Sequence, residues 1–240
     1  MRVKQISNLF MLMELFARRQ RPLAVAEIVT ALNWPRSSVF NVVQTLVEEG
    51  YLYQPTARGG YSPTTRWMDL ARSLVDSQPL PAAIHERLVT LMENTGETVF
   101  LAAAEGSSVI FLDVVEPAAN IRFAANVGQR LPIHVTAAGK AILSQYPTAE
   151  LNALLRRLRF DFDQTISPES LKQDIECHRK NGWYTNMGRY AEGVAGVAVP
   201  FPYRDRRMAI ALGGPVSRVE EHASDYGVLL RAAIQDLLLS

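Results

Sequence analysis

LAVAEIVTALNWPRSSVFNVVQTLVEEGYL, residues 23–52, reads as two short helices joined by a tight turn and closed by a hairpin. Ala26, Ile28, Val29 and Leu32 give a first helix an apolar inner side. Asn33-Trp34-Pro35 stops it, because proline disfavours helical geometry in the residue before it. A second helix starts at once, with Pro35 in its first turn, where a missing N–H costs nothing, followed by Arg36, Ser37 and Ser38. Val39, Val43, Leu46 and Val47 recur at the helical period and predict a core face. Opposite them runs a polar stripe of Ser37, Asn41, Gln44 and Glu48. The arrangement is that of a helix-turn-helix, which makes DNA the first partner to consider.

The stripe has the chemistry for reading bases. Asn and Gln make paired hydrogen bonds to an adenine edge in the major groove, and Arg36 reaches a guanine or a phosphate. Ser37 and Ser38 serve phosphate oxygens or free backbone donors at the helix start. A merely solvated face is the competing reading, and for an isolated amphipathic helix it is the commoner one. The context favours DNA: Tyr51-Leu52-Tyr53 and Gly60-Tyr61-Ser62 flank a polar tip, predicting a two-stranded wing whose Arg58 touches phosphate or the minor groove. Upstream, Ile6, Leu9, Phe10, Met13 and Phe16 fit one face of a first helix packed on this module.

Charge is distributed to match. The 240-residue chain has a net charge of only +1, yet residues 1–66 carry eight Lys or Arg against four Asp or Glu, while residues 67–240 carry seventeen against twenty. Positive charge therefore sits where counterion release rewards it. A composition 48% hydrophobic excludes general disorder and supports one large core or two modest ones. The single cysteine, Cys177, excludes an intrachain disulfide and suits a reducing compartment. Cys177 beside His178 lacks the further spaced ligands of a metal site, so no metal and no cofactor are expected. No apolar run approaches the ~20 residues that span a membrane, and a cytoplasmic location is expected.

Beyond the wing, Trp67, Leu70, Ala71 and Leu74 mark a short amphipathic helix ending near the two prolines Pro79 and Pro81. A helix bearing Ile84, Leu88, Leu91 and Met92 then stops at Thr95-Gly96. Thr98 to Ala103 and Val109 to Val115 predict a strand hairpin around residues 105–108, and Asn120 to Ala125 a further strand. Gly128 to Pro132 turns the chain into a helix beginning near Thr136. A helix from Pro168 to Lys180, strands at Val194 to Phe201 and Met208 to Leu212, and a last helix with Tyr226, Leu229, Leu230, Ala233, Ile234, Leu237 and Leu238 on one face complete the chain. The pattern is α+β with an antiparallel sheet. The expected division is 1–65 for the DNA-binding module, 66–80 for a linker helix and 81–240 for an effector-binding and oligomerisation domain.

A second signature occupies residues 128–141, GQRLPIHVTAAGKA. Thr136 caps a helix whose first turn, Ala137-Ala138-Gly139, has side chains small enough to leave backbone N–H groups open to an anion or a ligand polar atom. A plain cap is an equally good reading of Thr136. His134 reads more readily as a packing residue, and Lys140 as structural or exposed. Gly139-Lys140 lacks the rest of a phosphate loop. Together with Arg36-Ser37-Ser38-Val39-Phe40, this stretch resembles the IclR family of bacterial transcription regulators, and the resemblance runs on through residues 181–184, 192–200 and 209–215.

The resemblance implies an N-terminal winged helix-turn-helix and a C-terminal GAF-like antiparallel-sheet effector domain. It assigns DNA contact to Arg36, Ser37, Ser38, Phe40, Asn41, Gln44 and Arg58, with Asn41 standing where arginine is common. It assigns a small organic effector, a carboxylate or aromatic acid, to a pocket of Phe123, Leu131, Thr136, Ala137, Ala138, Asn186, Met187, Val194, Gly196, Ala211 and Gly213. Asn186 stands where an acid is frequent, Gly196 where cysteine is, and Ala211 and Gly213 where serines are. Losing those polar groups while opening volume predicts an effector bulkier or less polar than a two- or three-carbon acid. A sheet that merely needs small residues there is the competing reading.

The leading expectation is a regulator, repressor or activator, that binds a palindromic double-stranded operator as a homodimer or homotetramer. The helix around Trp67 to Leu74 and the first helix are the expected contacts between subunits. An enzyme, or a protein-binding scaffold, using the winged helix as an interaction module is the alternative; no nucleophile elbow, zinc set, phosphate loop or dinucleotide fingerprint favours the enzyme.

Overall fold

The computed structural model describes residues 3–56, 59–76, 82–158 and 166–239, and the chain divides into two compact units, Met1–Leu80 and Pro81–Ser240. The first unit contains α1 (Lys4–Arg19), α2 (Val25–Leu32), α3 (Arg36–Glu48), the strands β1 (Leu52–Tyr53) and β2 (Ser62–Pro63), and α4 (Arg66–Asp76). Leu12, Leu15, Phe16, Leu23, Ile28, Val39, Val43, Leu46, Leu52 and Tyr61 form its core. Each such aliphatic side chain, once buried, contributes about 1.5–3 kcal/mol.

Three local expectations change. On α1 the buried residues are Leu12, Leu15 and Phe16, with Leu9 and Met13 against them, whereas Ile6 and Phe10 are exposed. The apolar stripe is broader than one contact, and the core takes its C-terminal half. Ala26 is also exposed, because α2 docks through Ile28 with Val25, Val29 and Leu32 beside it. Pro35 is the residue before α3 rather than in its first turn: its φ of −57° and ψ of 138° are extended, after Asn33 has ended α2 in the left-handed region at φ 52°.

The second unit contains α5 (Ala82–Thr95), β3 (Thr98–Glu105), β4 (Ser108–Val115), β5 (Arg130–Pro132), α6 (Ala137–Leu143), α7 (Thr148–Leu155), α8 (Pro168–Arg179), β6 (Tyr184–Met187), β7 (Val194–Tyr203), β8 (Arg206–Pro215) and α9 (Val216–Leu239). The six strands form one antiparallel sheet in the order β5-β4-β3-β8-β7-β6. Phe100, Ala102, Phe111, Ala198, Ala209 and Ala211 pack into a core with α6, through Ala138, Ala141 and Ile142. The helix α5 contacts β3 and β4, and α9 contacts β7 and β8.

Residues 120–125 are not a strand. The segment is an irregular loop whose backbone is tied by side chains: Glu116 accepts from the Ala125 N–H at 2.7 Å and from Arg122 at 2.7 Å. Thr98 Oγ1 donates to the Phe123 carbonyl at 2.6 Å. Backbone groups satisfied in this way need no strand partner. Helix α7 and strands β5 and β6 are additions to the sequence reading: Arg130–Pro132, expected within a turn, pairs with β4, and strands of three and four residues are too short for an alternation to stand out.

Candidate nucleic-acid interface and ligand cavity

On α3 the buried side chains Val39, Val43 and Leu46 fix the helix rotation and leave Arg36, Ser37, Phe40, Asn41, Thr45 and Glu48 exposed, with Ser38 and Gln44 half-buried beside them. The whole described part of the expected DNA surface thus lies on one helix and its leading turn, with Phe40 49% exposed. An apolar ring so placed suits a thymine methyl rather than a core. Thr45 is exposed with them and escaped the sequence reading; its hydroxyl donates to the Asn41 carbonyl at 2.9 Å. No side chain caps the α3 N-terminus, so its first N–H groups stay available to an acceptor from outside the helix.

Behind α3, the Trp67 ring lies against Tyr51 with centroids 4.6 Å apart, and its Nε1–H donates to the Tyr51 carbonyl at 3.1 Å. Strand β1 pairs with β2 through Leu52 with Pro63 and Tyr53 with Ser62, and Tyr61 bridges back to Leu23. The pair is a wing of two strands, as expected; Arg58 at its tip lies outside the described residues.

The second unit holds a cavity of about 40 Å³, lined by Phe100, Phe111, Phe123, Leu131, Thr136, Ala137, Ala138, Asn186, Tyr190, Val194, Ala195, Gly196, Ala211, Leu212 and Gly213. Ten of the eleven residues expected around an effector line it. Met187 does not: it follows Asn186 directly on β6, and successive strand residues face opposite sides of a sheet. Phe100, Phe111 and Tyr190 were missed because nothing in a strand pattern tells which aromatic residues converge.

Sheet register builds the floor. Asn186 of β6, Gly196 of β7, Gly213 of β8 and Thr98 of β3 are consecutive partners across four strands. The two glycines leave that row bare. The Phe123 ring fills part of the space, since a Cβ at Gly213 would stand 2.9 Å from its Cδ1. Volume that the sequence reading assigned to a bulkier ligand is thus partly occupied by an aromatic side chain.

Thr136 acts as the cap of α6: its Oγ1 accepts from the Gly139 N–H at 3.0 Å and donates to the Pro132 carbonyl at 3.4 Å. Gly139 has to be glycine, because a Cβ would lie 1.8 Å from the Ile133 carbonyl oxygen. His134 is buried in the turn of Ile133–Val135 and does not line the cavity. Lys140 is buried, not exposed. Its Nζ donates to the Thr185 carbonyl at 2.8 Å and pairs with Asp174. Burial holds its pKa below the ordinary lysine value, with the Asp174 partner opposing the shift. Asp174 also meets His178 at 3.0 Å, so α6, α8 and β6 are tied by one charged cluster beside the cavity wall.

Asn186 differs from these satisfied groups. It is 6% exposed, and its Oδ1 has no hydrogen-bond partner. Among the described residues no three His, Cys, Asp or Glu side chains are placed to hold a metal ion, and no helix is long and apolar enough to cross a membrane.

Residues 72–238 match the family described as bacterial transcriptional regulator IclR C-terminal, and residues 5–56 match the IclR helix-turn-helix domain. The chain belongs to the IclR family of bacterial transcriptional regulators. It is 27% identical to the transcriptional repressor IclR of Escherichia coli over 246 aligned positions, covering 99% of this chain and 90% of that protein. It is 28% identical to the acetate operon repressor of Salmonella typhimurium with the same coverage. The crystal structure of Thermotoga maritima IclR shares its fold, with a TM-score of 0.74 at 23% identity over 96% of this chain and 95% of the other. These IclR relatives are transcriptional regulators, not enzymes, and the helix-turn-helix makes DNA the partner of this one.

Proposed function

We infer that this IclR-family chain represses transcription from a palindromic operator and that a small organic effector, held in the cavity of residues 81–240, changes its operator affinity. The exposed polar face of α3 carries the first half of this reading: Ser37, Asn41 and Gln44 read base edges, Arg36 and Ser38 hold phosphate, and Phe40 and Thr45 meet thymine methyls. Arg58 adds a phosphate or minor-groove contact from the wing tip. Residues 1–65 act as the DNA-binding module, 66–80 as the linker helix and 81–240 as the effector and oligomerisation domain.

Single recognition helices cover few base pairs, so a specific operator requires a homodimer or homotetramer. The exposed apolar residues of α1, Ile6, Phe10 and Met11, and of α4, Met68, Leu70 and Leu74, supply the contacts between subunits. A DNA partner and a single exposed, unbonded cysteine fit a cytoplasmic protein.

The effector is a compact molecule with a flat apolar skeleton, fitted to Phe100, Phe111 and Phe123; a carboxylate or aromatic acid is the class that the family resemblance supplies. Its binding shifts the population of DNA-competent protein, and by linkage DNA binding changes effector affinity by the same factor. A gel shift with the chain's own upstream DNA, run across salt concentrations and with a panel of small acids and aromatic acids, tests the reading. Specific, salt-sensitive binding that one ligand class alters is expected. No specific binding with any ligand overturns it.

A further inference from the structure

Helix α3 is charged at its two ends and neutral between them. Arg36, its first residue, is its one cation; from Ser37 to Glu49 the sequence has no lysine or arginine, and Glu48 ends the helix with Glu49 as its cap. The positive end of the helix dipole lies with Arg36 and the negative end with the two carboxylates. Phosphate is attracted at the first end and repelled at the second, which favours entry into the groove by the half that carries Ser37, Phe40, Asn41 and Gln44.

Availability is the second observation. Among the described residues, the side-chain amides of Asn41 and Gln44 hydrogen-bond to nothing else in the chain; Asn41 takes part through its backbone carbonyl, which accepts the Thr45 hydroxyl at 2.9 Å. Each amide keeps a donor and an acceptor side by side, the pair that adenine N7 and N6 require in the major groove. Guanine presents two acceptors there, the partner of an arginine or lysine rather than of an amide. Phe40, 49% exposed and one residue ahead of Asn41, offers an apolar ring to a thymine methyl. A helix rises ~1.5 Å per residue, so Asn41 and Gln44 stand about 4.5 Å apart along it, close to the ~3.4 Å step between stacked bases.

We propose that α3 selects A·T pairs: each operator half-site presents two adjacent A·T pairs to it in the major groove, their adenines read by Asn41 and Gln44 and a thymine methyl met by Phe40, with Arg36 as the helix's one reader of guanine. The proposal rests on α3 being the recognition helix.

The test begins with selection of a randomised duplex by the full chain and continues with gel shifts on the selected duplex. Each half-site is expected to hold two adjacent A·T pairs, and Asn41→Ala and Gln44→Ala are each expected to relax the preference at one of them. Inosine paired with 5-methylcytosine keeps the methyl group and the minor-groove edge of an A·T pair but presents the major-groove edge of a G·C pair. Placed at either position, it is expected to weaken binding about tenfold. Uracil in place of the contacted thymine removes one methyl and is expected to weaken binding about fourfold, an effect that Phe40→Ala abolishes. The changes in the duplex leave the protein untouched, so they report on recognition and not on folding.

G·C pairs at the positions where Asn41→Ala and Gln44→Ala relax preference overturn the proposal and leave α3 standing as the recognition helix. An inosine pair bound as tightly as the A·T pair also overturns it, because the preference then comes from the minor groove or from duplex shape. A uracil effect that is absent, or that persists in Phe40→Ala, overturns the part given to Phe40. Preferences that none of the three substitutions changes, or a selection that yields no preferred sequence, overturn the reading of α3 and the proposal with it.

Discussion

Arg218→Leu should destabilise the second unit through Glu97 rather than through anything Arg218 itself packs against. The Glu97 side chain is 1% exposed and receives both of its charge-assisted hydrogen bonds from Arg218, at 2.6 Å from Nε and 2.9 Å from Nη2. Leucine leaves that carboxylate buried without a cation. Breaking a fully buried pair from one side costs about 3–5 kcal/mol, but the Arg218 side chain is 42% exposed, so water reaches the vacated side and about 2–3 kcal/mol is the appropriate figure. For a unit of this size that is a fall in Tm of about 5–10 °C. Arg218 also donates to the Ile121 carbonyl at 3.1 Å, two residues from Phe123, so the loop bearing the cavity's aromatic wall loosens with it. The assay is thermal denaturation of the full chain, followed at the transition of this unit, in a cycle with Glu97→Gln. Neutralising Glu97 in the Arg218→Leu background should recover about 1 kcal/mol or more. A cost below about 1 kcal/mol for Arg218→Leu, or two substitutions that add within about 0.5 kcal/mol, would refute the stranded-carboxylate argument.

Gly139→Ala should prevent stable folding of the second unit, since its Cβ would overlap the Ile133 carbonyl backbone; a variant that melts within ~1 kcal/mol of wild type would mean that α6 shifts freely. Thr136→Ala should cost about 1 kcal/mol through the lost cap to Gly139, and Thr136→Ser should restore most of it, measured by urea denaturation. The Glu116 carboxyl is held below the ordinary 4.5 by the Ala125 N–H and then by Arg122, so its contribution is complete above that value and is lost as pH falls through the folded pKa. Glu116→Gln should therefore flatten the acid limb of a stability-against-pH profile below pH 4.5, and an unchanged limb would remove Glu116 as its source. Asn41→Ala and Gln44→Ala should each alter preference at one operator position by about 1–3 kcal/mol, read by selection from a randomised duplex; unchanged preference would make the α3 stripe a solvated face.

The helix-turn-helix was legible because its information is local: Val39, Val43 and Leu46 are spaced by the helix period, and Asn33 and Pro35 punctuate the turn. The Thr136 cap and the helix after it were legible for the same reason. Residues 120–125 misled because their apolar content satisfies a strand pattern, while the partners that hold them irregular, Glu116 and Thr98, lie 9 and 25 residues away in sequence. The burial of Lys140 was hidden likewise, its partners being Asp174 and Thr185 on other elements. On α1, periodicity identified a stripe but not which part of the stripe the core takes, and Ile6 and Phe10 fell on the wrong side.

The cavity residues show how a family resemblance and a physical reading divide the work. Resemblance brought Asn186, Gly196, Ala211 and Gly213 to one site, and register explains why: three of them form a continuous row across β6, β7 and β8. What small residues do there depends on what lies above them. Gly213 does not open a larger hollow; it admits the Phe123 ring, whose own carbonyl is held by Thr98, the next residue along the same row. One row of four residues therefore sets the floor, seats the aromatic wall and leaves a single unsatisfied acceptor, Asn186 Oδ1, at its far end. A Cβ placed at Gly213 would therefore act first on Phe123 and then on the loop anchored by Glu116, Thr98 and Arg218.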